Sequence, residues 1–225
     1  MKISFGEVVI VPLIYLSTIG YLKEEMKGQE PYKLNLAMKI YNSCQIILNC
    51  YMIYGFMPLI SLNNPFGLNQ TYNENIKYYV YIHYLSKYFD FLDTFFIVLR
   101  SKKNQLSFLH LYHHSTIGMI WGLLLVVGHG NGTAAFGCLI NSYIHLIMYS
   151  HYLWTSFGFV NPYKKLITQA QLFQFILCFI HSLFVIAFEN IVPRAYAYIQ
   201  VFYQIQMILL FTNFYFKSYK IKKIN

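Results

Sequence analysis

Three of the chain's eight histidines fall within five residues, His110-Leu111-Tyr112-His113-His114, inside a long apolar run. On a helix, His113 and His114 follow His110 by three and four positions, so the imidazoles share one face. Imidazole titrates near neutrality and can serve as base, nucleophile or metal ligand. Polar groups inside a membrane helix are costly and usually mark something functional. The bland alternative is a helix–helix contact, but packing alone rarely needs three histidines in one turn.

The elements that must carry this cluster are set by composition. The chain has 225 residues, is 57% hydrophobic and 11% charged, and has a mean hydropathy of +0.42. A soluble domain carries about 25% charged residues. The expectation is an all-α integral membrane protein built from a single domain, 1–225. A spanning helix needs about 20 mostly apolar residues. Seven stretches fit or nearly fit: about 7–22, 34–62, 76–99, 106–127, 133–154, 166–188 and 195–216. The first is short and contains Pro12, and no small-residue cleavage site follows it, so it is not read as a removed signal peptide. A basic tail, 217–225, closes the chain. Cys44, Cys50, Cys138 and Cys178 lie in apolar runs without zinc spacing and read as buried thiols.

The net charge of +9 could suggest nucleic acid, but its distribution fits membrane topology instead. Lys23, Lys27, Lys33, Lys39, Arg100, Lys102, Lys103, Lys164, Lys165, Lys217, Lys220, Lys222 and Lys223 all fall on one side of the seven stretches. The positive-inside rule makes that side cytosolic, with the N-terminus lumenal and the C-terminus cytosolic. Lys222 and Lys223, fourth and third from the carboxyl end, then match a dilysine retrieval signal of the endoplasmic reticulum; a plain basic tail is the bland alternative. Two sequons, at Asn69 and Asn131, fall on the lumenal side. Asn131 lies very close to the membrane, which leaves Asn69 as the acceptor candidate.

Three further stretches carry polar stripes. At about 100° per residue, Lys87, Asp90, Asp93 and Thr94 share about a third of a helix circumference. Asn141, His145, Met148, Tyr149 and Tyr152 form a second stripe, with His151 on its flank, and Thr168, Gln171 and Gln174 open a third. Each has a structural alternative: an ion pair locking the bundle for Lys87 and Asp90, helix–helix hydrogen bonds for the glutamines. With the expected topology, all the stripes and the histidines can converge on a chamber open to the cytosol. Arg100, Lys103, Lys164, Lys165 and Lys217 are candidates for the phosphates of an anionic substrate at its mouth, although the positive-inside rule alone also accounts for them.

A di-iron desaturase or hydroxylase is one reading of a membrane histidine box. Such sites need about eight histidines in several boxes to fill two irons. Here His83, His129, His145, His151 and His181 form no second box. A non-enzymatic transporter or receptor is another reading; it requires access from both sides, whereas the charges gather on one.

In combination, the motifs resemble the fatty acid elongases of the endoplasmic reticulum, the condensing enzymes of very-long-chain fatty acid synthesis. Lys87-Tyr-Phe-Asp90-Phe-Leu-Asp93-Thr94 resembles that family's K-x-x-E-x-x-D-T, with Asp for Glu at position 90. His110-Leu-Tyr-His113-His114 matches H-x-x-H-H. Asn141 with His145-Leu-Ile-Met148-Tyr149-Ser-His151-Tyr152 resembles N-x-x-x-H-x-x-M-Y-x-Y-Y, with His for Tyr at 151. Thr168-Gln-Ala-Gln171-Leu-Phe-Gln174-Phe175 matches T-x-x-Q-x-x-Q-F. The resemblance implies seven membrane helices, with spans two to seven around a tunnel closed at the lumenal end. It implies condensation of a fatty acyl-CoA with malonyl-CoA to a 3-ketoacyl-CoA two carbons longer, with release of carbon dioxide and CoA and with no metal or other cofactor.

The expected partners are therefore acyl-CoA, malonyl-CoA and membrane lipid; other enzymes of the elongation cycle and a homodimer are left open. The expected chemistry is a ping-pong route with His113 as nucleophile and His145 assisting across the chamber. His110 and His114 would orient it, Asp93 and Asn141 would fix tautomers, and Asn, Gln and Tyr side chains would complete an oxyanion site. A direct ternary-complex route stays open.

Overall fold

The fold is described by a computed structural model for residues 3–219; Lys2, Lys220 and the Lys222–Lys223 pair lie outside the described residues. Eight α-helices run through the described residues: α1 Phe5–Glu25, α2 Asn35–Phe56, α3 Glu74–Phe89, α4 Phe91–Leu99, α5 Phe108–Val126, α6 Ala134–Ser156, α7 Lys164–Phe188 and α8 Arg194–Tyr219. Local chemistry sets several of their starts. Ser4 and Glu7 form a capping box at α1. Asn73 caps α3 by accepting from the amides of Asn75 and Ile76, and Ser107 caps α5 by accepting from the amide of His110. Pro58 sits in a 3-10 turn, Met57–Leu59, that ends α2 several residues before the expected limit.

The third expected stretch is not one continuous helix. α3 stops at Phe89 and α4 begins at Phe91, with Asp90 between them. The amide of Asp93 bonds the carbonyl of Asp90 at 3.2 Å, three residues back rather than four, so the junction is a tightened turn.

Polar and apolar residues are distributed inside out relative to a soluble bundle. Asn42, Gln45, Asn49, Lys87 and Asp90 are buried, while Leu36, Ile47, Tyr54, Phe173, Phe202 and Leu209 are exposed. This is the arrangement expected of a bundle whose solvent is lipid. By length and composition only α1 and α7, among the described residues, are apolar enough to cross a membrane. Of the other helices, α2, α3, α5 and α6 carry the polar residues just named or histidines, α8 carries Arg194, Lys217 and several amides, and α3 and α4 are also short.

The helices after α1 form a ring through neighbouring contacts: α2 with α3, α3 with α5, α5 with α8, α8 with α7, α7 with α6, and α6 back to α2. α3 also touches α6 across the ring, and α1 packs outside on α4 and α5. Gly118 and Gly122 allow α5 its close approach: a Cβ on Gly122 would meet Val8 of α1 and Tyr84 of α3 at 2.7 and 2.8 Å.

The two ends of the bundle differ. At one end the amide of Tyr32 bonds the carbonyl of Leu99, Lys39 lies over the ring of Phe157, and the Tyr219 hydroxyl lies near Thr168. This end carries most of the chain's lysines. At the opposite end the 61–73 loop is fastened to the other turns. Glu189 accepts from the amides of Asn69, Ile191 and Val192, and the Asn69 side chain bonds the carbonyl of Phe188 and the amide of Asn190. Asn131 is clasped to the backbone of Asn73 on both sides of its amide group. Both sequon asparagines therefore serve as loop fasteners; Asn69 adopts positive φ, +52°, and Asn131 is buried.

Candidate active site

The interior polar network is built on α3. The Lys87 ammonium donates to Asn141 Oδ1 at 2.8 Å and lies 3.3 Å from Asp90 Oδ2. Gln45 Nε2 donates to Asp90 Oδ1 at 2.8 Å and to the Tyr41 hydroxyl at 2.8 Å. The Tyr149 hydroxyl, fully buried, lies 2.7 Å from Asp93 Oδ2 and 3.2 Å from Asp90 Oδ1. His145 turns Nδ1 toward Asp90 Oδ2 at 3.8 Å. Asn141 reaches Gln174 at 3.4 Å. A buried ion pair tolerates its loss of water only when its remaining polar atoms are hydrogen-bonded. Gln45, Tyr149 and Asn141 supply those bonds here.

The histidine box stands beside this network at the start of α5. Ser107 fixes the first turn, so His110 is the third residue of a capped helix. His110 Nε2 meets the Thr94 hydroxyl at 2.8 Å, and Thr94 in turn meets the Tyr15 hydroxyl at 2.7 Å. The rings of His110 and His114 lie 4.2 Å apart, and His113 stands edge-on to His114 at 5.7 Å. His113 turns away from α4: its Nδ1 lies 3.1 Å from the Tyr203 hydroxyl, and its ring borders Phe175. His113 and His114 are close enough to Lys87, Asp90 and His145 to interact electrostatically. All three box histidines are only half-buried, whereas Lys87, Asp90 and His145 are buried. The imidazole cluster is thus partly exposed and stands against a closed, hydrogen-bonded core.

Several expected roles move. Asp93 binds Tyr149 rather than an imidazole, and Asn141 binds Lys87 and Gln174 rather than a histidine. The carboxylate facing His145 belongs to Asp90. Asp90 and Asp93 keep to one face, since both carboxylates reach the Tyr149 hydroxyl. Gln171 packs its amide on the Met148 sulfur, and Thr168 bonds at the lysine-rich end with Tyr219, so neither meets the histidines. Tyr152 packs on Tyr149 with its own edge exposed. Arg100, at the end of α4, and Lys103, Lys164, Lys165 and Lys217 all lie at that same end; Lys165 sits over the ring of Tyr215.

The remaining histidines are scattered. His83 packs against Trp121, His129 against Tyr196, His151 on Asn161 and His181 on the carbonyl of Phe66. Among the described residues no group of three or more His, Cys, Asp or Glu side chains is arranged to hold a metal ion.

Tyr41 and Gln45 were missed in the sequence. Their signal was available: with Asn49 they form an i, i+4, i+8 polar stripe in an apolar helix. Tyr203 had none, being one of five tyrosines in α8.

Beyond the box, toward the opposite end, α5, α6, α7 and α8 line a small opening with a cavity volume of about 70 Å³. Its walls include Ile120, Trp121, Gly137, Cys178, Val185 and Ala197.

The family model described as ELO: GNS1/SUR4 family matches residues 2–225. The chain is 41% identical to fatty acid elongase 4 of Trypanosoma brucei brucei over 96% of this chain and 85% of that one. It is 44% identical to fatty acid elongase 5 of Leishmania major over 91% and 82%. It is 33% identical to very long chain fatty acid elongase 5 of Mus musculus over 95% and 74%. With all the described helices inside that match, the chain belongs to the GNS1/SUR4, or ELO, family.

Proposed function

We propose that this protein catalyses the condensing step of fatty acid elongation in a membrane, joining a long-chain acyl-CoA to malonyl-CoA. The observation that carries the reading is the half-open His110–His113–His114 cluster backed by the buried Lys87–Asp90–His145 core, in a chain whose family includes named fatty acid elongases. The chemistry suits such a site. Loss of carbon dioxide from malonyl-CoA itself generates the carbon nucleophile, so the step needs no strong base, metal or organic cofactor. The protein must hold the thioester, stabilise an enolate and exclude water.

In the proposed route His113 Nε2 attacks the acyl thioester. The carbon–sulfur bond breaks, and the departing CoA thiolate takes up a proton delivered through His145. The acyl group stays on His113, whose Nδ1 keeps its hydrogen. Malonyl-CoA then loses carbon dioxide, and the resulting enolate attacks the acyl carbon. The imidazole leaves in its starting form with 3-ketoacyl-CoA as product, and one proton is consumed overall. His110 and His114 donate to the thioester and enolate oxygens.

The seven spans belong to the same proposal: α3 and α4 together make one, and α1, α2 and α5–α8 make the rest. The lysine-rich end faces the cytosol and receives the CoA phosphates at Arg100, Lys103, Lys164, Lys165 and Lys217. The acyl tail follows the α5–α8 opening toward a lumenal end closed by the 61–73 loop, and the membrane is that of the endoplasmic reticulum. The support is the charge distribution and the apolar outer surface.

Membranes containing the protein, given labelled malonyl-CoA and a panel of acyl-CoAs, should yield products two carbons longer. No extended product with any primer would overturn the reading. His113→Ala should abolish product, and the wild-type protein given acyl-CoA alone should carry the acyl group on His113. Its absence would leave the direct ternary-complex route.

A further inference from the structure

α1 packs outside the ring, yet one of its side chains reaches the histidine box. Tyr15 is buried, and its ring stacks on Phe91 of α4 at 4.0 Å, within an apolar cluster that includes Ile19 and Val98. That packing aims the Tyr15 hydroxyl at Thr94, 2.7 Å away. The Thr94 hydroxyl also lies 2.8 Å from Nε2 of His110. Three helices, α1, α4 and α5, thus meet at one buried hydroxyl.

Thr94 differs from the other hydroxyl residues of these helices. A serine or threonine within a helix commonly turns its hydroxyl back to a carbonyl of the preceding turn. Thr18, Thr116, Ser142 and Ser182 do so, at 2.8, 2.6, 2.9 and 2.7 Å. Thr94 reaches across to two other helices instead. A hydroxyl has one hydrogen and two lone pairs, so it can serve Tyr15 and His110 together. Whichever way the hydrogens run, Nε2 of His110 is taken up, and Nδ1 is the nitrogen left to meet a substrate.

The rest of His110 is held as well. Its amide donates to Ser107 Oγ at 3.1 Å, and its ring lies 4.2 Å from that of His114. Both of these neighbours belong to the start of α5 itself. The tie at Nε2 comes from other helices, and a turn of the ring about its bond to Cβ would break it.

We infer that Tyr15 and Thr94 are positioning residues: through them α1 sets the angle at which His110 presents Nδ1 to the reacting groups. This role rests on the proposed condensation, in which His110 donates to the thioester and enolate oxygens. Those oxygens gain charge as the reaction proceeds, so a misdirected donor costs transition-state stabilisation more than substrate binding.

Tyr15→Phe removes the hydroxyl and keeps the ring on Phe91. In full-length protein in detergent it should lower kcat about 2- to 10-fold, the range one neutral hydrogen bond contributes, with KM for both substrates little changed. Thr94→Val should lower kcat more, and Thr94→Ser, which keeps the hydroxyl, should recover most of that loss. Tyr15→Phe added to Thr94→Val should cost little beyond Thr94→Val alone, because residues that act through one another are not additive. Thr18→Val removes a hydroxyl tied to the backbone of α1 itself and should match wild type. With nitrogen-15 at histidine, and His110 assigned by the signals lost in His110→Ala, both Tyr15→Phe and Thr94→Val should move the His110 ring-nitrogen signals. Wild-type kcat in Tyr15→Phe, losses that multiply in the double variant, a loss confined to KM, or unmoved His110 signals would each overturn the inference. Wild-type protein that extends no primer would overturn the condensing reading instead, and the His110 signals would still show whether Tyr15 acts on that ring.

Discussion

Lys87 illustrates how much a single side chain decides in this interior. It is almost completely buried, as is Asp90, and Asn141 takes up another of its hydrogens. Removing one partner of such a pair leaves an uncompensated charge and costs about 3–5 kcal/mol. Lys87→Met should therefore give protein that aggregates on solubilisation, read as loss of the monodisperse peak in size-exclusion chromatography. The double variant Lys87→Met/Asp90→Leu should recover that peak yet remain inactive, because the polar surroundings of His145 go with the pair. A double variant as aggregated as the single one would show that the pair is needed for folding itself. At this scale the types of the residues were legible and their partnerships were not. Three histidines in one turn, and Lys87 beside Asp90, stand out in an apolar sequence. Which imidazole faces which carboxylate depends on how the helices are set against one another, and Tyr149 of α6 takes up Asp93 while His145 faces Asp90.

The helices follow the same pattern of partial legibility. Apolar runs located α1, α5, α6, α7 and α8 to within a few residues, because a run bounded by capping residues and charges leaves little freedom at its ends. The junction inside the third stretch gave no such sign: no Pro or Gly marks Asp90, and the tightened turn coincides with its buried contacts to Lys87 and Gln45. The turns at the loop-fastened end were opaque for a similar reason. Their order comes from Glu189, more than a hundred residues from the loop it holds. One buried carboxylate there accepts from three backbone amides, of Asn69, Ile191 and Val192. An unsatisfied buried donor costs about 1–3 kcal/mol. Glu189→Ala should lower the Tm by several degrees and speed proteolysis within 61–73, with Glu189→Gln intermediate because its amide keeps only one accepting oxygen. Unchanged Tm and cleavage would show that water replaces the carboxylate without cost.

On the scale of the whole molecule, the ring from α2 through α8 has an opening among α5, α6, α7 and α8, away from the lysine-rich end. Its walls come from α5, α6, α7 and α8 and are largely apolar, and it begins about two helical turns beyond His113, where Ile120 follows on α5. Its far side includes His181, which is tied to Phe66 of the fastened loop. If the acyl group sits at His113, its tail has this direction in which to run, and the length of the tail is set by how far the walls stay apart. Ala197 of α8 is buried on that wall, so a larger side chain there must project into the opening or displace its neighbours. Overpacking of this kind costs about 1–3 kcal/mol. That is tolerable in a bundle already held by the Lys87 network and the Glu189 clasp. Ala197→Phe should shorten the longest product while leaving kcat on short primers close to wild type, since the box is untouched. Gas chromatography of products from a primer series reads this directly. An unchanged product profile would mean that the tail runs elsewhere, for instance between helices into lipid. A uniform loss on all primers would mean that the ring had been disturbed as a whole.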